Sequence, residues 1–301
     1  MKFITLFPEQ YNDMNTYIYN TSATDFIFIP PAYTTSYDNS YYQEVADSIN
    51  LLVAKRSVGT TNIWIGTPGI DMDNFSIGYT SSNLTDFLKA VYRKLSAPAK
   101  RKVLGGYMNQ ESFYGDMDYN NLLNGTMPAN RQLKIMSQIR TFIKNGNISG
   151  TDFLWIPYYG IGANATKIIK DIGHAADKVQ IFDYCIMQPG YVTNPSGAKG
   201  NFEGICFSIQ KGKVCYRDGV PVIATKVSNT KIGFEIEYAA RGTSSYQSYK
   251  DVFSDYRDRY PYGFYWSSEK KDMSITFAEI NDFMNGLNPR RFLSFNPAFS
   301  K

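Results

Sequence analysis

The feature that most narrows what this chain can fold into is an alternation sustained over all 301 residues. Short apolar or β-branched segments bounded by Gly, Pro, Asn or Asp read as strands. They are KFITLF (2–7), DFIFIP (25–30), NIWIG (62–66), KVLGGYM (102–108), FLWIPY (153–158), KVQIFDYCI (178–186), KIGFEIEY (231–238) and YGFYW (262–266). Most are continuously apolar, as strands are when both sheet faces are covered. Between them lie helical patterns. Val45, Ile49, Leu52 and Val53 form one stripe, and NRQLKIMSQIRTFIKNG runs from Asn130 to a stop at Asn145-Gly146. Eight such units with no linker rich in Pro, Gly or Ser predict an α/β fold, a single (β/α)8 barrel over 1–301. A doubly wound sheet also alternates but generally uses fewer strands. In the barrel, Lys2–Phe7 is strand one and pairs with Tyr262–Trp266 to close the ring.

One connection departs from the rule. Between strands six and seven the chain reads ICFSIQ-KG-KVCYR-DG-VPVIAT, with Lys211-Gly212 and Asp218-Gly219 placed where hairpin turns are wanted. A β-hairpin insertion over 203–226 is expected there in place of a clean helix.

Composition removes several classes of function. Lys and Arg exceed Asp and Glu by only four (31 against 27) and are scattered, so no basic face for nucleic acid is indicated. No run approaches the roughly 18 apolar residues of a membrane span. The opening MKFITLFPEQYNDMN is interrupted at Pro8, too early for a secretory core. A cytoplasmic protein, or one released without classical secretion, is expected. Three cysteines and one histidine (Cys185, Cys206, Cys215, His174) have neither disulfide nor metal-ligand spacing. Structural zinc and His-based triads are thereby excluded, and no cofactor is called for. What abounds is aromatic: 24 Tyr, 20 Phe and 3 Trp. Tyrosine joins a flat apolar face to a hydroxyl, which suits sugars and interfaces alike.

Barrel enzymes carry their chemistry at the C-terminal ends of the strands. Strand four ends in Tyr107, Asn109, Gln110 and Glu111; strand five in Trp155, Tyr158 and Tyr159; strand six carries Asp183 and runs into Gln188 and Tyr191. Strand seven holds Glu235 and Glu237, and strand eight ends at Tyr265 and Trp266. Glu235 and Glu237 are two apart and share the face of Gly233, which in a barrel points inward. Carboxylates there need partners or a use; one use is structural, an ion pair that organises the core. The other is glycosidic cleavage, which needs two carboxyls about 5–5.5 Å apart (retaining) or 6.5–9.5 Å apart (inverting). Glutamates after strands four and seven suit that chemistry, as in the large retaining-glycosidase clan built on this barrel. That clan usually has Asn directly before the strand-four acid, where this chain has Gln110.

The segments GGYMNQESFYG, FLWIPYYGIGA, IFDYCIMQPGYVTNP and IGFEIEYAARG, followed by GFYW, resemble the bacterial domain-of-unknown-function 4855 family over about residues 102–266. The resemblance implies a glycosidase-like barrel without an assigned activity. Its acid after strand four, W-x-P-Y-Y, an aspartate followed by Q-P, and paired strand-seven acids fall on Glu111, Trp155 to Tyr159, Asp183 with Gln188-Pro189, and Glu235/Glu237. Where that family often has Asn after the Pro, this chain has Gly190.

Three other features carry less. Gly160-x-Gly162-x-x-Ala165 follows a strand and precedes a helix, but it lies mid-chain with Pro157-Tyr158-Tyr159 intervening, unlike a dinucleotide fingerprint. His174, next to the helix-ending Gly173, reads as a surface or capping residue, and the cysteines as small buried apolar groups. Asp116 and Asp118 lack the glycine and distal glutamate of a calcium loop and read as a turn. The expectation is a metal-independent hydrolase of oligo- or polysaccharides. Glu111 is its acid/base, Glu237 its second carboxylate, and Glu235 and Asp183 tune them. Tyr107, Asn109, Trp155, Tyr158, Tyr159, Gln188, Tyr191, Tyr265 and Trp266 bind the sugar. The rival is a non-catalytic carbohydrate-binding or assembly module on the same barrel.

Overall fold

A computed structural model describes residues 1–6, 16–30, 39–57, 59–69, 81–191, 194–225, 229–237, 244–265 and 273–286. The strands are β1 (Lys2–Leu6), β2 (Asp25–Phe28), β3 (Asn62–Gly66), β4 (Val103–Met108), β5 (Asp152–Trp155), β6 (Tyr184–Met187), β7 (Lys231–Glu237) and β8 (Tyr262–Tyr265). Each pairs in parallel with the next, and β1 pairs with β8 through Lys2↔Tyr262, Phe3↔Gly263 and Ile4↔Phe264. The ring is closed, a (β/α)8 barrel. A helix follows each strand: α1 (Thr16–Tyr19), α2 (Asn39–Lys55), α3 (Ser81–Lys94), α4 (Pro128–Lys144), α5 (Ala165–Gly173), α6 (Asn201–Lys211), α7 (Ser244–Phe253) and α8 (Met273–Met284). None is long and apolar enough to cross a membrane among the described residues.

Alternation along each strand sorts its side chains into two layers. Phe3, Ile27, Trp64, Tyr107, Leu154, Tyr184 and Ile186 point inward and pack on one another. Phe3, Trp64 and Tyr184 meet edge to face, at 5.7 Å for Phe3–Trp64 and 5.6 Å for Trp64–Tyr184, and fill the middle of the barrel. The odd-and-even partners Phe26, Phe28, Phe153, Trp155, Phe234 and Phe264 face the helices. Phe234 stacks on Phe253 of α7 at 4.3 Å and on Tyr262 at 5.3 Å. Gly105 is required by close approach: a Cβ there would sit 1.8 Å from the Asp152 carbonyl oxygen across the β4–β5 ladder.

Three sequence expectations are corrected. The strand read over 178–186 begins only at Tyr184. Residues His174–Lys178 continue α5 as a π-type turn, and Gln180 takes a left-handed φ of 58°, so the segment ahead of β6 is not extended. His174 is buried rather than at the surface, although the capping role holds: it is the C-cap of α5, its Nδ1 2.8 Å from the Lys170 carbonyl and its ring 4.5 Å from that of Tyr119.

The ICFSIQ segment is helical. Ile205, Ser208 and Ile209 lie on the buried side of α6, the i, i+3, i+4 spacing of a helix face. Lys211-Gly212 is accordingly the helix end, with Gly212 left-handed, and not a hairpin turn. The expected hairpin survives only downstream. Val214 and Val222, Cys215 and Pro221, and Tyr216 and Val220 face each other across a turn at Asp218-Gly219.

Candidate functional site

The C-terminal mouth of the barrel holds an open cleft lined by Thr5, Ile29, Tyr107, Asn109, Glu111, Ile156, Gln188, Glu235 and Tyr265. Every barrel strand except β3 supplies one of these residues directly or from the segment just after it. The cleft therefore sits on the barrel axis, above the aromatic plug.

The segment after β4 that carries Glu111 is held through its main chain. Trp155 Nε1 donates to the Gln110 carbonyl, and Tyr158 N donates to the Glu111 carbonyl at 2.8 Å. Thr67, beyond β3, accepts from Asn109 N at 3.2 Å. Gln110 Nε2 closes the turn onto the Ser112 carbonyl. These bonds from neighbouring strands fix the position of Glu111 while leaving its carboxyl unencumbered. That carboxyl stands at the rim, open to solvent on its outer side, yet the surrounding wall removes enough water to raise its pKa above the ordinary value.

On β7, Glu235 is 2% exposed and Glu237 5% exposed. Glu235 is held well above the usual carboxylate range, first by burial and then by the charges of Glu237 and Glu111. Its Oε1 lies beside Gly263, where even a Cβ would come within 3.8 Å. Glu237 Oε2 accepts from the Tyr249 hydroxyl of α7 and from the backbone N–H of Tyr191 at 3.2 Å. Tyr191 N also reaches the Tyr249 oxygen at 3.0 Å, so helix, loop and strand meet on one carboxylate oxygen. The Tyr158 phenol is raised by burial, then by the charges of Glu237 and Glu111, which places it in the field of both acids.

Six of the residues expected from the sequence line the cleft together: Tyr107, Asn109, Glu111, Gln188, Glu235 and Tyr265. Tyr158, Glu237 and Tyr191 adjoin it through the contacts above. The structure separates the others. Asp183 precedes β6 and lies at the opposite, N-terminal end of the barrel. There it pairs with Lys144 at 3.0 Å and accepts from Phe153 N at 2.8 Å. Trp155 is fully buried in the outer layer, stacked on Phe182 at 4.8 Å, and supports Glu111 instead of offering a sugar platform.

Tyr159 is also fully buried, its hydroxyl donating to the Cys215 carbonyl; burial raises its pKa. Both errors have one cause: strand five ends at Trp155, so the aromatics at 155 and 159 fall on the helix side and Ile156 on the axis side. Trp266 lies outside the described residues.

Sequence reasoning missed Thr5, Ile29 and Ile156 in the lining, although the inward alternation of β1 (Phe3, then Thr5) pointed to the first. It also missed Tyr249, for which no local signal exists, because only the packing of α7 on β7 brings it to Glu237.

Two loops of the mouth are tied together beneath the surface. Asn201, fully buried at the start of α6, donates from Nδ2 to the carbonyls of Gly160 (2.7 Å) and Pro189 (2.6 Å) and accepts from Arg217 Nε (2.7 Å). The Gly160-x-Gly162 loop is thus committed to internal bonds. Asp118 Oδ1 accepts from Asn120 N and Asn121 N at 2.9 and 3.3 Å, the turn expected of it. Among the described residues no three His, Cys, Asp or Glu side chains are grouped to hold a metal ion.

No family model matches the chain, and no curated protein matches it. The resemblance to the domain-of-unknown-function 4855 family therefore rests on its motifs alone. Among solved structures, a GH5-4 broad specificity endoglucanase from an uncultured bacterium aligns at 13% identity with a TM-score of 0.39, covering 94% of this chain and 85% of that one. At that score the likeness carries no weight for activity, and the barrel assignment stands on the strand pairing itself.

Proposed function

We propose that the barrel hydrolyses O-glycosidic bonds of an oligo- or polysaccharide, with Glu111 as acid/base and Glu237 as the second carboxylate. The observation that carries this reading is that Glu111 and Glu235 line one cleft at the C-terminal mouth and that the charges of both Glu111 and Glu237 act on Glu235 there. A proton donor must be protonated near working pH and reach the bond. Glu111 is raised by desolvation and opens to solvent at the rim. The second group must present an unprotonated oxygen to the anomeric carbon or to a water. At Glu237, Oε2 accepts from the Tyr249 hydroxyl and the Tyr191 backbone N–H, which orients the carboxylate. Glu111 then gives its proton to the leaving oxygen as the C–O bond breaks, and Glu237 meets the charge developing at the anomeric carbon. The motif resemblance points in the same direction.

The test is reducing-end release from a panel of β-glucan, xylan, mannan, chitin and chitosan by the wild type beside Glu111→Gln. Release that the substitution removes supports the reading. Binding without release from any glycan would assign the chain to carbohydrate binding instead.

A further inference from the structure

Glu235 is the one acid on the cleft wall for which the hydrolytic reading has no reacting role. It sits two residues below Glu237 on β7, about 6.6 Å deeper along the strand, in register with Gly263 of β8, whereas Tyr265 pairs with Glu237 above it. It is 2% exposed and lines the cleft, yet no protein group among the described residues donates to it or accepts from it. A buried carboxyl without a hydrogen-bond partner is costly, and such groups are ordinarily satisfied. The charges that act on it are those of Glu237 from its own strand and Glu111 from beyond β4; the phenols of Tyr107 and Tyr265 share the lining, and the described lining contains no cation. Everything else within reach is neutral and hydrogen-bonding (Thr5, Asn109, Gln188) or apolar (Ile29, Ile156). A polyhydroxylated ring without charge matches this wall: its hydroxyls both donate and accept, and its C–H face packs on isoleucine and tyrosine.

We propose that Glu235 is a binding residue at the floor of the cleft, exchanging hydrogen bonds with a hydroxyl of an uncharged sugar ring and taking no part in bond cleavage. This rests on the glycosidase reading for its ligand class but assigns a separate role. A carboxylic acid offers one O–H donor and one carbonyl acceptor. An amide of the same shape offers both kinds of group, whereas alanine offers neither.

The experiment is calorimetric binding of cellotetraose, xylotetraose, mannotetraose and the fully deacetylated chitosan tetramer to the full chain carrying Glu111→Gln. It is repeated with Glu235→Gln or Glu235→Ala added. Expected is binding of at least one neutral tetramer with an affinity that Glu235→Gln keeps within about threefold and Glu235→Ala weakens by about tenfold or more. Affinity of the parent should fall at high pH, as the O–H donor is lost, while that of the Glu235→Gln form stays level. Thermal melts identify a variant that fails to fold, and the amide variant then carries the comparison through its pH profile.

Preference for the chitosan tetramer, a level pH profile in the parent, or failure of every neutral tetramer to bind would overturn the assignment. So would abolished hydrolysis with retained binding when Glu235→Gln is placed in the otherwise wild-type chain, which would make Glu235 the reacting carboxylate. Neutral-sugar binding that follows the expected pattern in a wild type that cleaves nothing would instead sink the hydrolytic reading and leave this one standing.

Discussion

At the residue scale, the acids divide by what surrounds them. Glu111 is raised by desolvation at the rim, and Glu237 is gripped at one oxygen by Tyr249 and Tyr191. Replacing either glutamate by glutamine keeps shape and hydrogen bonding while removing proton transfer or charge. Each change is expected to lower hydrolysis by at least about 100-fold with a melting temperature close to wild type. Full activity in either variant would remove that residue from the reaction. Tyr249→Phe leaves Glu237 in place with one donor fewer, so kcat should fall about tenfold or more with KM nearly unchanged; a change confined to KM would make Tyr249 a substrate contact.

The acids themselves were legible because strand seven has an unmistakable alternation, Gly233-Phe234-Glu235-Ile236-Glu237, whose two faces differ in chemistry. Trp155 was misplaced because strand five ends at Trp155 and not at Tyr158, with its ring in the helix layer, and Asp183 because strand six starts at Tyr184 and not at Lys178, which puts Asp183 at the base of the barrel instead of near its top.

At the element scale, the mouth depends on loops bound to one another. Asn201 joins the loops after β5 and β6 to the downstream hairpin through three short hydrogen bonds. Asn201→Ala would take the Asn201 donor from the Pro189 carbonyl, leave the Gly160 carbonyl only the longer bond from Arg217 Nη2, and remove the acceptor of Arg217 Nε, a loss of about 1–3 kcal/mol to be measured by denaturant unfolding. A loss below about 0.5 kcal/mol would show that the loops hold without it. Gly190 has φ +66°, and a Cβ there would fall 2.3 Å from Tyr158 Cε2. Gly190→Ala should therefore displace the Tyr158 ring and reduce kcat/KM, an effect that steady-state kinetics would reveal even where the melt moves little.

The sequence signal for this region was mixed. Asp218-Gly219 marked a real turn, but ICFSIQ reads equally as strand or helix face, since short apolar runs do not declare their period. The neighbouring Gly212 fits a helix end as well as a hairpin, and packing of α6 on β7 decided between them.

At the scale of the whole molecule, the barrel was the most legible feature. Eight apolar segments separated by helical stripes admit few closed arrangements, and every one of those segments overlaps a strand of the ring. The cost of the site should appear in global stability. Glu235, Glu111 and Asp152 all have folded-state pKa values raised by burial. The folded chain therefore holds protons that the unfolded chain has released, and stability falls as pH rises from the ordinary carboxylate range through the raised values. Glu235→Gln should flatten that fall, gaining on the wild type at neutral pH relative to pH 4. Parallel melting curves against pH for the two proteins would contradict the placement of a buried, unpaired acid there.

The central claim is that Glu111 protonates the leaving oxygen. Its most direct test compares Glu111→Gln with wild type on an oligosaccharide and on the corresponding 2,4-dinitrophenyl glycoside, whose leaving group needs no proton. The account predicts that the oligosaccharide rate is lost and that cleavage of the dinitrophenyl glycoside is largely kept. Equal loss on both substrates, equal retention on both, or a wild type that cleaves neither would contradict it.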